Sequence, residues 1–569
     1  MKNTLVAKIL YEIADMLELK EVRWKPAAYR KAAQQIASLS DDVESIYSQE
    51  GLKGLEEIPG VGRSIAKKIE EIIETGKLKY HQKLKKKIPI DFDKLTSIEG
   101  IGPKTVKKLY DELGIEDFDD LKEALEKGKI RKLEGFGKRS EEKIRQGLEF
   151  VEKSGGRMLL ARAHRIADEI LEELRESKQI SALQLAGSAR RMKDTVGDLD
   201  ILAVSNSPEK AMDLFVSLSQ VGSIVAKGKT KSTVRLKSGF DCDLRIVKKE
   251  SFGSALLYFT GSKAHNIALR KIAMKKGLKL NEYGVFKKSK KRIAGKNERE
   301  VYKALGLHYI EPELRENEGE IDAAEKNKLP KLIDYDSIKG DFHMHSKWSD
   351  GTRSIKEMVE AAKGQGYEWV ALTDHSKSAR VANGLDERRF RKQWKEIEKT
   401  KVKGLEVLRG VEMDILKDGS LDFSNSFLEN FDVVIGAIHS SFSMPAKKMT
   451  KRIKKALESG MIDILAHPTG RLIGSRRGYA LEWDELFDVC KSTNTALEIN
   501  AYQQRLDLDY SHIKEAVKRG VRLTIGTDAH APDQLKFMRF GIGTARRGWA
   551  EGKNVMNTLS AKTVKKRLG

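Results

Sequence analysis

Six stretches in the C-terminal part of the chain share one pattern, an apolar run that stops at a side chain able to bind a metal. They read GDFHMHS with His343 and His345, WVALTDH with His375, VLRGVE with Glu412, DVVIGAIH with His439, IDILAHP with His467, and RLTIGTDAH with Asp528 and His530. Short apolar runs separated by helix-period stretches predict parallel strands alternating with helices, and ligands gathered at strand C-termini predict a (β/α) barrel with its site on that face. Asp350, in HSKWSDG, adds a further ligand on the first loop. The pattern points to a multinuclear metal site.

The N-terminal third has a different rhythm. IPGVGRSIAKKIEEI, IEGIGPKTVKKLYDEL and LEGFGKRSEEKIRQGL each run from an apolar residue through Gly-x-Gly into a basic amphipathic helix. The glycines (Gly60 and Gly62, Gly100 and Gly102, Gly135 and Gly137) permit a tight turn, and the free N–H groups at each helix start suit a phosphate oxygen. Three copies favour a grip on a nucleic-acid backbone that does not read sequence.

In the middle, LQLAGSARRMKDTVGDLDILAV predicts a strand, a Gly187-Ser188 turn, and a second strand bearing Asp198 and Asp200. Alternation puts both carboxylates on one face and Leu199 in the core. STVRLKSGFDCDLRIV predicts a hairpin whose second strand carries Asp241 and Asp243 in the same phase. Crowded carboxylates repel and call for divalent cations, and an oxygen-only set suits Mg²⁺ or Mn²⁺ and in-line nucleotidyl transfer. Arg190 and Arg191 are placed to meet a triphosphate.

Composition narrows the partner. The chain has 569 residues, room for about four domains, and its 107 Lys and Arg against 84 Asp and Glu give a net charge of +23. That balance favours a polyanion. No run of about 18 apolar residues occurs, and the N-terminus is an interrupted amphipathic pattern, neither signal peptide nor span. Two distant cysteines, Cys242 and Cys490, argue for a reducing compartment. The expectation is a cytoplasmic monomer.

AGSARR…GDLD, FDCDLR, YFTGSKAHNIALR and NEYGVF, in this order, resemble the family X DNA polymerases typified by polymerase beta. KPAAYRKAAQQIA and the first Gly-x-Gly segment resemble its lyase domain, and the C-terminal motifs resemble the PHP phosphoesterase domain, a fusion found in bacterial and archaeal PolX. The resemblance implies a multidomain α/β chain. Residues 1–88 would be a helical lyase-like domain, 89–152 helix-hairpin-helix fingers, 153–250 an α+β nucleotidyltransferase palm and 251–318 a thumb. Residues 319–335 would be a linker, within a charged strap spanning 311–340, and 336–569 a distorted (β/α)7 PHP barrel.

It further implies that Asp198, Asp200 and Asp243 hold the palm cations, that Ser188 and Arg191 meet the β and γ phosphates, and that Gly187 shapes their turn. Tyr258, Phe259 and Gly261 would lie against the nucleotide sugar, Asn266 would reach the base, and Arg270 would track the template. Lys68 would match the Schiff-base lysine of the lyase, supported by Arg63 and Lys67, although Ser64 and Trp24 depart from the polymerase beta pattern. Lys263 and Asp241 depart as well. In the barrel, His343, His345, Glu412 and Asp528 would surround one ion, Glu412 would bridge to a second held by His439 and His467, and Asp350, His375 and His530 would complete a third. Mn²⁺ or Zn²⁺ fits that mixed set. The implied activity is gap-filling DNA synthesis on gapped or primer–template DNA with dNTPs, in base excision repair, joined to 3′–5′ exonuclease and 3′-end or abasic-site processing. The competing expectation is a small-molecule phosphatase whose polymerase-like half only binds DNA. Arg471, Arg476 and Arg477 are candidates for contacts to the DNA backbone.

Overall fold

The computed structural model describes residues 2–568 apart from 20–21, 23, 39–42, 59, 86–89, 92–94, 96–97, 99–100, 102 and 155. The chain divides into two compact units, one built from Met1–Met158, Ala163–Ala189 and Val196–Leu305, the other from Leu159–Arg162, Arg190–Thr195 and Gly306–Gly569.

The first unit begins with helices Lys2–Leu19, Lys25–Ser38, Val43–Glu56 and Arg63–Thr75, which bury Leu10, Ile13, Ile36, Leu55 and Ile69 at helical spacing. Gly60 has φ +88°, and Gly62 is the extended residue that opens helix Arg63–Thr75. Gly135, with φ +80°, and Gly137 precede helix Lys138–Ser154 in the same way. Gly100 and Gly102 lie outside the described residues, although helix Pro103–Leu113 follows them.

A five-stranded sheet comes next: β1 (Ile180–Leu185), β2 (Leu199–Ser205), β3 (Val221–Lys227), β4 (Lys231–Leu236) and β5 (Asp241–Ile246), in spatial order β1-β2-β5-β4-β3. Only β2 and β5 pair in parallel, and their register sets Asp200 opposite Asp243. Leu199 and Cys242 on the other face are fully buried, so the period-two reading holds. Asp198 sits in a bend just before β2 rather than on it, and Gly187-Ser188 opens a four-residue helix instead of a simple turn. A small antiparallel sheet of β6 (Leu278–Asn281), β7 (Gly284–Lys287) and β8 (Arg292–Ala294) follows.

In the second unit, β9 (Gly340–Met344), β10 (Trp369–Leu372), β11 (Glu406–Asp414), β12 (Val433–Ala437), β13 (Ile464–Leu465), β14 (Ala496–Asn500) and β15 (Leu523–Gly526) form one sheet in chain order, with every neighbouring pair parallel. The first and last strands meet through a parallel bridge from Met344 to Ala529, with His345 N donating to Ala529 O and Asp528 N to His343 O, both at 2.8 Å. Alternate residues join different apolar clusters. Trp369, Ala371, Val433, Ile435 and Ala437 belong to one, and Val370, Leu372 and Val434 to the other, as expected for a barrel interior and a helix-covered exterior.

The segment 311–340 is more ordered than its charge suggests. It carries helix Glu320–Glu325, and Arg315 is fully buried with its guanidinium donating twice to Ile310 O. Arg546 answers its carboxylates, at 2.7 Å from Glu313 and 3.7 Å from Glu311. Charge pairing replaces the missing apolar surface. No described helix is long and apolar enough to cross a membrane.

Asp341 holds the barrel shut. Its buried carboxylate accepts from His343 N on its own strand and from Thr527 N and Oγ1 beyond the last one. An amide can match only part of that set, and a buried charge-assisted bond is worth about 1.5–3 kcal/mol. Asp341→Asn is therefore expected to destabilise the barrel by about 2–3 kcal/mol, read as an earlier denaturant transition of this unit; an unchanged midpoint would show that closure does not depend on this residue.

Candidate metal centres

Glu412 stands at the middle of the barrel site. It lies on β11 within the buried interior, and five imidazoles surround its carboxylate. Oε2 lies 3.3 Å from His343 Nε2, 3.5 Å from His345 Nε2 and 3.0 Å from His375 Nδ1. Oε1 lies 3.2 Å from His439 Nε2, and His467 Nε2 completes the ring of imidazoles at 2.9 Å. Asp528 Oδ1 approaches His345 Nε2 at 3.2 Å, while Asp350 Oδ2 approaches His530 Nε2 at 3.3 Å and His375 Nε2 at 3.6 Å. All nine residues expected from the strand ends converge here.

Their grouping differs in detail from the expected one. Ligand atoms able to share an ion fall into His343, His345 and Asp528; into His375, Glu412 and His439; and into His345, Asp350, His375 and His530. His375 thus faces two groups, and His467 joins through Glu412 alone. Burial opposes charge on Glu412, yet His375, His343 and His439 hold its carboxyl well below the usual range. Desolvation also opposes charge on the partly exposed His439, yet Glu412 and Asp414 raise it to about 10. Burial, with Arg505 adding to it, takes His467 down to about 3. The buried His343 Nε2, both nitrogens of His345, His375 Nδ1 and His467 Nδ1 have no hydrogen-bond partner among the described residues. Buried polar atoms without partners are rare, so this donor set fits divalent cations of the Mn²⁺ or Zn²⁺ kind.

A supporting layer was not visible in the strand-end pattern. Glu498 on β14 accepts from His343 Nδ1 at 2.7 Å and from His467 N at 2.7 Å, and Asp414 takes His439 Nδ1 at 2.5 Å. Such carboxylates fix ring orientation and leave Nε2 for the ion. Asp374 binds Ser346 N and Ser349 N under the first loop. His467 and Asp528 have φ +29° and +53°, left-handed backbone imposed by these contacts. The signal was present in the sequence: a lone acid inside the buried run ALEIN, and a second acid two residues after Glu412. The arginines of the loop after His467 differ from one another in their surroundings. Arg471 donates to Arg505 O and Asp194, Arg476 donates to Gly470 O and lies over Phe442, and Arg477 alone of the three is exposed.

The five-stranded sheet presents the second centre. Burial, then Asp198 and Asp243, push Asp200 up to about 7; burial, then Asp243 and Asp241, also raise Asp198. Asp243 is tied by Lys231 at 3.2 Å and Arg245 at 3.3 Å. A side chain at Gly187, whose φ is +64°, would put Cβ 2.5 Å from Asp200 Oδ2, so glycine is required there. Asp241 pairs with Arg235 directly across β4 and β5, which gives it a structural role. Ser188 is partly exposed beside this turn, whereas Arg191 donates to Glu316 at 2.9 Å.

Tyr258, Asn266 and Arg270 line one pocket with Leu257 and Leu280. Asn266 Nδ2 donates to Tyr258 O, Phe259 packs edge-on to Tyr258, and Arg245 lies over Phe259 at 4.4 Å, linking this pocket to Asp243. Gly261, with φ +74°, ends the helix that carries Tyr258. Lys68 donates to Ser64 O and Oγ and lies near Tyr80 and Tyr29. Its ammonium is depressed by burial and then by Lys25, rather than by Arg63 or Lys67.

The chain is 42% identical over 565 residues to the DNA polymerase/3′-5′ exonuclease PolX of Bacillus subtilis, covering 98% of both chains. The chain belongs to the PolX family. Family models place a helix-hairpin-helix domain at residues 1–78, a SAM-like helix-hairpin-helix tandem at 92–149, a DNA polymerase beta thumb at 255–316 and a PHP domain at 341–502. The PHP match takes in seven of the nine barrel residues, with Asp528 and His530 beyond it. Rat DNA polymerase lambda is 27% identical over 55% of the chain and 56% of its own length. A probable phosphatase of Thermoanaerobacter sp. strain X514 is 27% identical over 33% of the chain and 78% of its own.

For this PolX-family chain the raised Asp200 has a consequence for stability. Without divalent cations the folded state keeps a proton that the unfolded chain releases near 4, so this contribution is complete below that pH and is lost as pH rises through about 7. Asp200→Asn removes the dependence. In chelator the variant should match the parent in acid and exceed it by about 2–4 kcal/mol near pH 8, read as a higher melting temperature; parallel pH profiles would exclude the carboxylate cluster as the cause.

Proposed function

We propose that the chain is a template-directed repair polymerase that fills short gaps from dNTPs, and that its barrel is a 3′–5′ exonuclease that also processes blocked or abasic 3′ ends. The observation that carries this reading is the presence, in one member of the PolX family, of two chemically distinct centres: an all-carboxylate set on β2 and β5, and an imidazole-rich set at the barrel strand ends. The first suits Mg²⁺ or Mn²⁺ and the second up to three ions of Mn²⁺ or Zn²⁺. Bound cations supply charge neutralisation at phosphate in both centres and a water of lowered pKa in the barrel.

The protein groups have separate tasks. Asp198 and Asp200 would hold the cations that neutralise the triphosphate, and Asp243, oriented by Lys231 and Arg245, would serve the primer 3′-hydroxyl. Tyr258, Asn266 and Arg270 supply the sugar, base and template side of the pocket they line. The Gly-x-Gly turns at Gly60, Gly62, Gly135 and Gly137 present helix N-termini to the DNA backbone. Lys68, hydrogen-bonded and depressed by burial, is available as a lyase amine. A cytoplasmic monomer with both cysteines reduced completes the reading; Cys242 and Cys490 are free and buried.

Separation of the two activities is the test. Asp200→Asn should lower primer extension on gapped DNA by about 10³-fold or more while 3′-end hydrolysis persists, and His343→Ala with His345→Ala should do the reverse. Loss of both activities in either variant would defeat the two-centre assignment. Replacement of Glu412 by Gln should weaken Mn²⁺ binding to the barrel, measured by calorimetry, by at least about 10-fold, because several imidazoles share that one carboxylate.

A further inference from the structure

The loop after β14, AYQQRLDL, carries two side chains to which no contact with substrate has been given, Tyr502 and Arg505. It leaves the strand that supplies Glu498 and is pinned on both sides. Asp507 N donates to Asn500 O, Asp507 accepts from Thr469 N, and Arg471 holds the carbonyls of Arg505 and Leu506. Tyr502 N is bound by Asn500 Oδ1, and Tyr502 O accepts from Arg505 N. The two side chains are therefore carried on a fixed turn.

Arg505 Nε lies 3.4 Å from Asp528 Oδ2, while Oδ1 of the same carboxylate faces His345. The guanidinium is thus separated from the first group of ligands by one carboxylate. Its charge is felt by His467 as well as by Asp528. Neighbouring arginines are occupied: Arg471 by two carbonyls and Asp194, Arg476 by Gly470 O, and Arg547 by Asp194. The remaining N–H groups of Arg505 have no protein acceptor among the described residues, although its side chain is only 17% exposed. Tyr502, half-buried on the same turn and edge-on to Phe537, offers an aromatic ring with no hydrogen-bond partner for its hydroxyl among the described residues. A fork of donors beside a metal ligand matches a phosphodiester, and an adjacent ring matches a base.

We propose that Arg505 and Tyr502 form a nucleotide subsite of the barrel, in which Arg505 binds the scissile phosphodiester beside Asp528 and Tyr502 stacks on the base of the 3′-terminal nucleotide. This rests on the exonuclease reading and adds the recognition of a nucleotide to it. No covalent step is assigned to either residue. Arg505 contacts substrate directly and is distinct from Glu498 and Asp414, which act through the imidazoles they orient.

The experiment uses the full chain with Mn²⁺ and two single-stranded oligonucleotides, one ending in an ordinary nucleotide and one ending in an abasic sugar. For Arg505→Gln, KM should rise about 10–100-fold on both ends with kcat little changed, the range set by one charge-assisted bond. Mn²⁺ affinity, measured by calorimetry, should be equal or tighter because a nearby positive charge has gone. Arg505→Lys should fall between the two. Tyr502→Ala should lose about 5–50-fold in kcat/KM on the ordinary end only, and Tyr502→Phe should retain it. Weaker Mn²⁺ binding and lower kcat at unchanged KM in Arg505→Gln would overturn the proposal, since Arg505 would then only position Asp528. Equal losses on both ends in Tyr502→Ala would also overturn it. Failure of the wild-type chain to hydrolyse either 3′ end would instead remove the exonuclease reading beneath it.

Discussion

Carboxylates brought together away from water must be neutralised, and both centres in this chain are answers to that one constraint. At the ends of β2 and β5, Asp198, Asp200 and Asp243 are gathered, with Lys231 and Arg245 paired to Asp243 and Arg157 acting on Asp198. Burial, and then the repulsion from Asp198 and Asp243, is relieved by a proton, and Asp200 rises to about 7. In the barrel, Glu412 is answered by imidazoles on every side and stays ionised. The same electrostatic demand thus leaves one site short of positive charge and the other lined with groups that supply it. That difference, more than fold, separates an oxygen-ligand centre from an imidazole one.

Strand geometry decides where such crowding is tolerated. Parallel strands in chain order place their C-terminal ends on one rim, so residues as distant in sequence as His345 and His530 are neighbours. The cost appears locally. His467 and Asp528 take left-handed backbone, and Asp341, Glu498 and Asp374 are buried acids held by hydrogen bonds from the strands they join. The palm achieves the same end with a single parallel pair, β2 with β5, which sets Asp200 against Asp243. Gly187 keeps the neighbouring turn clear of that carboxylate.

The sequence made the ligands legible because each closes an apolar run, and a strand end is the one place where period-two burial stops abruptly. The sixth barrel strand, Ala496–Asn500, escaped that reading because it ends in no ligand. Its acid, Glu498, stands out as a lone acid inside a buried run, but nothing in the spacing along the chain names His343 as its partner. Arg191 reads in the sequence as a candidate phosphate contact, but its partner in the fold does not, because Glu316 lies 125 residues away in a segment that reads as a charged linker. The ordering of that segment was hidden for the same reason: Arg546 is remote in sequence from Glu311 and Glu313. Local period and composition carry the elements and the ends of strands; pairings between distant charges are set only by closure of the fold.

Protons and cations compete for both centres, but at different atoms. In the palm the proton to be displaced sits on a carboxylic acid, since Asp200 holds it up to about 7. In the barrel the carboxylates are already ionised, and protons sit on imidazoles, with His439 raised to about 10 and His530 to about 9. An ion entering the palm therefore replaces a neutral acid by an ion-bound carboxylate, whereas one entering the barrel replaces imidazolium by coordinated imidazole. Both exchanges release protons and both favour higher pH. Within the barrel the proton is unevenly shared: burial lowers His345, so of the two rings stacked 4.4 Å apart it is His530 that has a proton to give up.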